Sequence, residues 1–212
     1  TYDEGKHCTG KTDALGNTTA YAYDVIGNLE AVLYPDGTKE TCRYQNGRPA
    51  EVTLRDGRTL RYAYDGNGSC TAVETDTGER TVITYDALNR RETVTGPDGG
   101  TARYEYDAVG NVTKMTDPDG NAACYAYTPG GNLSSVTDAL GGKTVYTYDV
   151  MGRLTAVERT GSLPEGEKAG EAPVQRTLYE WNESGLINAV TDPLGEKESY
   201  AYDKNGRMTD KW

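Results

Sequence analysis

The chain has 212 residues, a formal net charge of −11, 35% hydrophobic residues, no phenylalanine and 17 tyrosines. A mean hydropathy of −0.74 and an isoelectric point near 4.6 disfavour nucleic acid and anionic membranes as partners. They also leave too little apolar surface for a thick core, whereas tyrosine, which buries a large ring behind a water-tolerant hydroxyl, suits a thin layer.

Taken in chain order, the elements repeat. YAYDVIGNLEAV at 21–32 returns as YAYDGNGSCTAV at 62–73, YEYDAVGNVTKM at 104–115, YTYDVMGRLTAV at 146–157 and YAYDKNGRMTDK at 200–211. The aromatic residue just before each first turn marks ten copies: Tyr2, Tyr23, Tyr44, Tyr64, Tyr85, Tyr106, Tyr127, Tyr148, Trp181 and Tyr202. Their spacing is 21 residues, except 20 between Tyr44 and Tyr64, where Gly57 falls one place early, and 33 between Tyr148 and Trp181. The extra residues lie in GSLPEGEKAGEAP at 161–173, a polar stretch rich in Gly, Pro and Glu that reads as a surface loop. The array fills residues 1–212 as a single domain.

Each copy predicts a strand, a tight turn, a return strand and a second tight turn. The first turn is Asp24 to Gly27, Asp65 to Gly68, Asp107 to Gly110, Asp149 to Gly152 and Asp203 to Gly206. About ten residues on, the grammar recurs at Asp13 to Gly16, Asp117 to Gly120, Asp138 to Gly141 and Asp192 to Gly195. Asp in first place caps the backbone of a type I turn, and Gly in fourth place takes the left-handed position that closes a short hairpin. Two tight turns per copy exclude the long crossovers of a parallel β-helix, and glycines every ten residues leave no room for helix. A β-propeller would make alternate copies differ, and they do not. The fold class is therefore all-β, an antiparallel meander of about ten hairpin repeats forming a curved or spiralling sheet.

Period-two alternation places Tyr21 and Tyr23, Tyr62 and Tyr64, Tyr104 and Tyr106, Tyr146 and Tyr148, and Tyr200 and Tyr202 on one face. There they form cross-strand ladders, while Leu29, Val112, Leu133, Leu154 and Ile187 pack the return strands. These residues read as structure, and no catalytic residue is assigned. The only histidine, His7, stands alone, so neither a Ser-His-Asp set nor a zinc site is expected. No cofactor is expected either. Asp117-Pro118-Asp119-Gly120-Asn121 resembles a calcium loop only faintly, lacking the alternating oxygens and distant Glu. Cys8 and Cys70 take the Leu position of different copies, Cys42 replaces a ladder tyrosine and Cys124 sits on the opposite face, which argues for free thiols. Asn17, Asn111 and Asn132 begin glycosylation sequons that follow from the repeat's own Gly-Asn-x-x-Ser/Thr habit.

The pattern Y-x-Y-D-x-x-G-N/R-L-x-x-V-x-D-P-x-G, carried over essentially the whole chain, resembles the RHS/YD repeat (rearrangement hotspot, tyrosine–aspartate). The resemblance implies a β-sheet that spirals into a hollow shell, as in bacterial RHS proteins, insecticidal toxin complexes and teneurins. It further implies a secreted or cell-surface protein whose partners are flanking repeats and an enclosed effector domain. In that family a D-P-x-G segment before the toxin is an autoproteolysis site, but here Asp117 and Asp192 sit in ordinary repeat positions. The chain reads as a fragment of a larger bacterial protein with a structural, non-enzymatic role and sheet edges open to self-association. The second reading is a binding module that grips carbohydrate or a cell-surface protein through its tyrosine face.

Overall fold

The computed structural model describes residues 1–161 and 174–212; apart from Gly161, the expected loop at 161–173 lies outside the described residues. The chain forms two compact units, Thr1–Thr101 and Ala102–Trp212. The first holds β1 (Gly10–Thr12), β2 (Thr18–Tyr23), β3 (Leu29–Leu33), β4 (Lys39–Gln45), β5 (Arg48–Thr53), β6 (Thr59–Tyr64), β7 (Cys70–Thr75), β8 (Arg80–Tyr85) and β9 (Arg91–Thr95). At the boundary β10 (Thr101–Tyr106) begins. The second unit continues with β11 (Val112–Thr116), β12 (Ala122–Tyr127), β13 (Leu133–Thr137), β14 (Lys143–Tyr148) and β15 (Leu154–Thr160). It ends with β16 (Val174–Trp181), β17 (Ile187–Thr191), β18 (Lys197–Tyr202) and β19 (Met208–Lys211).

Every one of these strands is antiparallel to its sequence neighbour within its unit. No helix occurs among the described residues. The class is thus an all-β antiparallel meander, and the unbroken pairing of β1 through β9 excludes four-stranded propeller blades. The first copy lacks a regular aromatic strand, and Tyr2 meets Cys8 only in an isolated bridge.

The two hairpins of each copy differ in register. Around the first turn, Tyr21 faces Val32 and Ala22 faces Ala31, but Tyr23 faces Leu29, so Glu30 is an extra residue. The same one-residue slip recurs before Tyr44, Tyr64, Tyr85, Tyr106, Tyr127, Tyr148, Trp181 and Tyr202. Strict alternation would put Leu29 and Val32 on opposite faces, and the bulge returns both to the tyrosine side. Around the second turn the ladder is regular but short: Ala31–Thr41, Val32–Glu40 and Leu33–Lys39, and no further.

This layer has almost no interior. Among the described residues only Ala72, Ala156, Val157 and Ala189 are buried, and no large side chain is fully buried. One face carries tyrosine with Leu, Val and Ile. The other carries cross-strand ion pairs between directly opposed residues, Arg61 to Glu51 at 3.1 Å, Lys114 to Glu105 at 3.2 Å and Arg176 to Glu158 at 3.0 Å.

The shortened copy is explained at its first turn. Between Tyr44 and Pro49 the chain turns on Asn46 and Gly47, with φ of 51° and 73°, the two-residue hairpin that Asn-Gly favours. It needs one residue fewer than the Asp-x-x-Gly turn, and Gly57 is early only as a consequence.

Candidate functional site

The recurrent site is the rung built by each marker aromatic. Because the second-hairpin ladder stops after a few pairs, the strands part near the first turn, and the backbone carbonyl that enters the bulge loses its strand partner. The marker hydroxyl takes that place. Tyr23 donates to the carbonyl of Cys8 at 3.0 Å, Tyr44 to Leu29 at 3.2 Å, Tyr64 to Pro49 at 2.9 Å and Tyr85 to Cys70 at 2.8 Å. Tyr127 donates to Val112 at 3.0 Å, Tyr148 to Leu133 at 2.8 Å and Tyr202 to Ile187 at 2.8 Å. Trp181 substitutes its indole Nε1, which reaches the carbonyl of Leu154 at 2.7 Å. Phenylalanine could not perform this task, which keeps it out of these positions. Tyr106 faces Val112 across its own bulge.

Burial lifts the phenols of Tyr23, Tyr62 and Tyr64. A hydrogen bond with the Cys42 thiol, then burial, pushes Tyr44 up to about 12. These hydroxyls stay protonated and remain donors. Tyr21, Tyr62, Tyr104, Tyr146 and Tyr200, two residues earlier, line the same face half-buried or at its margin, and Tyr200 donates to Glu198 at 2.8 Å.

The turn aspartates are consumed in a second recurrent network. Asp24 Oδ1 accepts the N–H groups of Ile26 and Asn28 at 3.0 and 2.8 Å, and Oδ2 accepts Asn28 Nδ2 at 2.8 Å. Asp107 does the same with Val109 and Asn111. At Asp149 and Asp203 the residue four places on is Arg153 or Arg207, whose Nε donates to Oδ2 at 2.7 and 2.8 Å. Asp65 accepts the N–H of Asn67 and of Ser69, both at 2.9 Å. The Asn-or-Arg preference after the turn glycine is therefore a side chain returning to the turn's own carboxylate. Asp117 is engaged likewise, by Asp119 N–H and by both nitrogens of Asn121. Asn17 and Asn111 spend the amide nitrogen of their sequons on Asp13 and Asp107, each at 2.9 Å.

The residue after the left-handed turn position also reaches forward to the next copy. His7 stacks on Tyr23 with centroids 4.9 Å apart, Arg48 lies over Tyr64 at 5.9 Å and Arg153 over Trp181 at 5.6 Å. His7 and Arg48 also occupy the space above the next first-turn glycine, whereas Gly185, beyond Arg153, meets nothing. A Cβ on Gly27 would stand 2.9 Å from His7 Nε2, and one on Gly68 would overlap the Arg48 guanidinium. Second-turn glycines such as Gly57 meet nothing. Second turns can be joined differently, by Arg55, which lies 4.3 Å over the Tyr34 ring, pairs with Asp36 and donates to Thr38 Oγ1 at 2.7 Å.

Gly57 and Gly68 have φ of 89° and 90°, so Gly57→Ala measures left-handed strain alone, about 1 kcal/mol. Gly68→Ala adds displacement of Arg48 from its ring and is expected to cost about 2 kcal/mol. Urea midpoints of the two variants check this, and equal losses would sink the stacking account.

Cys8, Cys42, Cys70 and Cys124 are free. Among the described residues no three His, Cys, Asp or Glu side chains gather as a metal site, and no helix is long and apolar enough to cross a membrane.

A repeating hairpin with an aromatic rung, an aspartate-capped turn and no layer beneath it defines a β-repeat array. The RHS Repeat family matches residues 2–39, 45–81, 85–122 and 127–163, each match spanning nearly two copies, and the chain belongs to that family. A curated relative, double-stranded DNA deaminase toxin A of Burkholderia cenocepacia (strain H111), is 32% identical over 124 residues, which is 48% of this chain and 8% of the toxin. Among solved structures, the Photorhabdus luminescens Tc holotoxin pore with the TccC3-D651A mutation aligns at a TM-score of 0.56 and 14% identity. The match covers 95% of this chain and 14% of that one. The TcdB2-TccC3-Cdc42 crystal structure aligns at 0.53 and 13%, covering 94% and 14%. The chain thus spans a small fraction of these three proteins, and the structural likenesses establish its fold.

Proposed function

We propose that residues 1–212 act as one array, a segment of the wall of a shell in a larger secreted bacterial toxin protein. In this reading the segment encloses or displays an effector domain and performs no chemistry itself. The observation that carries it is the inward use of the repeat's polar groups. The marker hydroxyls donate to backbone carbonyls, and the turn carboxylates accept from their own turns. Both sets serve the repeat's own backbone rather than converging on a cleft. The single-layer sheet, with a tyrosine-rich face, suits a partition between two spaces. Likeness to a deaminase toxin and to TcdB2-TccC3 assemblies supports the same reading, with flanking repeats continuing the ladder at β1 and β19.

The test uses the longer protein that carries this segment. Removing one whole copy, residues 127–147, should leave the array folded but open its wall. The effector domain should then become sensitive to protease under conditions where the intact protein shields it. Equal cleavage of the effector in the intact protein and the deletion would overturn the proposal.

A further inference from the structure

Between consecutive first turns the parted strands leave a cleft, and the chain itself shows what such a cleft receives. In the second unit, Arg153 reaches from one turn to the next. Its guanidinium lies over Trp181 at 5.6 Å and Nη1 donates to the carbonyl of Asn182, the first residue of the next turn, at 3.3 Å. In the first unit, Arg48 lies over Tyr64 on the wall of the corresponding cleft, of about 420 Å³. One copy before Trp181 the place is built alike but none of the described residues supplies a cation. There Asn132 stands where Arg48 and Arg153 stand in their copies. Its amide ends 3.4 Å from the Cβ position of Gly152. A cleft of about 440 Å³ remains, lined by Thr128, Asn132, Tyr146, Tyr148, Asp149 and Gly152.

We propose that this cleft is a docking site for an arginine side chain of a partner polypeptide, seated over Tyr148 as Arg153 is seated over Trp181. The donor geometry carries over. The Asp149 carbonyl accepts Gly152 N–H at 3.0 Å, as the Asn182 carbonyl accepts Gly185 N–H at 3.0 Å, and the latter also accepts Arg153. The second lone pair of Asp149 O is the matching acceptor. Tyr148 donates its hydroxyl to Leu133, which fixes the ring and leaves its π face for a planar cation. The Asp149 carboxylate is held by Arg153, so ring and carbonyl, with the acidic field of a chain of net charge −11, provide the attraction. The site does not depend on what the array encloses.

The probe is the peptide acetyl-Gly-Arg-Gly-amide, with its citrulline analogue as a neutral isostere, titrated into the chain with 13C-labelled tyrosine. The arginine peptide is expected to shift the Tyr146 and Tyr148 ring signals saturably, and the citrulline peptide to bind about five-fold more weakly. Asn132→Arg, which supplies the missing cation from within, should abolish the shift while the thermal midpoint holds or rises. As a check on the unaltered chain, guanidinium chloride at non-denaturing concentration should compete where equal sodium chloride does not. Equal response to both peptides, competition by sodium chloride as strong as by guanidinium, or an undiminished shift in folded Asn132→Arg would each overturn the proposal.

Discussion

Acid is expected to unfold this protein more steeply than its count of exposed carboxylates would suggest. Asp13, Asp24, Asp36, Asp86, Asp107, Asp117, Asp149 and Asp203 are held below the usual range, chiefly by hydrogen bonds within their own turns. At Asp13, Asp107 and Asp117 the largest contribution is the side-chain amide of the asparagine four residues on. At Asp86, Asp149 and Asp203 it is the backbone N–H of the arginine in that place. Asp24 is pushed upward by burial, but the Asn28 amide and the turn N–H groups outweigh it. Asp36, which accepts the hydroxyl and N–H of Thr38 and pairs with Arg55, falls to about 2. A carboxyl with a depressed folded pKa stabilises the fold above its unfolded value, near 3.9, and that stabilisation disappears as pH falls through the folded value. The loss should therefore begin below about pH 4 and continue towards pH 2, with Asp36 among the last to titrate. Many turns weaken together, and in a nearest-neighbour array each weakened unit also loosens the next. Urea unfolding at a series of pH values checks this. A midpoint unchanged down to pH 3 would contradict it, and so would an Asp117→Asn variant with the same acid slope as the parent.

The turn grammar was legible because each part of it is local. Asp in first place and Gly in fourth are requirements of one turn's backbone, and φ near +90° at Gly27 and Gly68 follows from them without tertiary structure. The all-β class was legible for the same reason. The bulge was present in the letters but disguised, since the three-residue step from Leu29 to Val32 conflicts with period two unless one residue is extra. The rungs were not legible. That Tyr44 reaches the carbonyl of Leu29 depends on the ladder between β3 and β4 ending at Ala31–Thr41, which no spacing declares. The residue after the turn glycine was also opaque. Its preference for Asn or Arg points back to the aspartate of its own turn, while its forward contact, Arg153 over Trp181, joins residues that the 161–173 stretch separates. Asn132 became conspicuous only once Arg48 and Arg153 showed what stands in its place.

The rung itself yields the sharpest mutational expectation, because two chemically different side chains perform one task. Tyr44→Phe retains the ring and removes the donor, leaving the Leu29 carbonyl short of a partner at a cost of about 1 kcal/mol. The Tyr44 phenol, lifted to about 12, keeps its proton at neutral and moderately alkaline pH, so this cost should be constant there. Trp181→Tyr exchanges one donor for the donor found at most other rungs and is expected to cost under about 1 kcal/mol. Trp181→Phe should cost about 1 kcal/mol more than Trp181→Tyr, since the Leu154 carbonyl then loses its 2.7 Å bond. Trp181→Ala also removes the surface on which Arg153 rests. At this half-buried position it should cost about 2–3 kcal/mol, below the range for fully buried aromatics. Urea unfolding of the four variants orders them: Tyr44→Phe near Trp181→Phe, Trp181→Tyr milder, Trp181→Ala severe. If Trp181→Tyr and Trp181→Phe were equal, the aromatic would be acting as area alone. The donor is what makes the distinction, because in a sheet with one layer a rung is stabilised less by what covers its ring than by the carbonyl its tip satisfies.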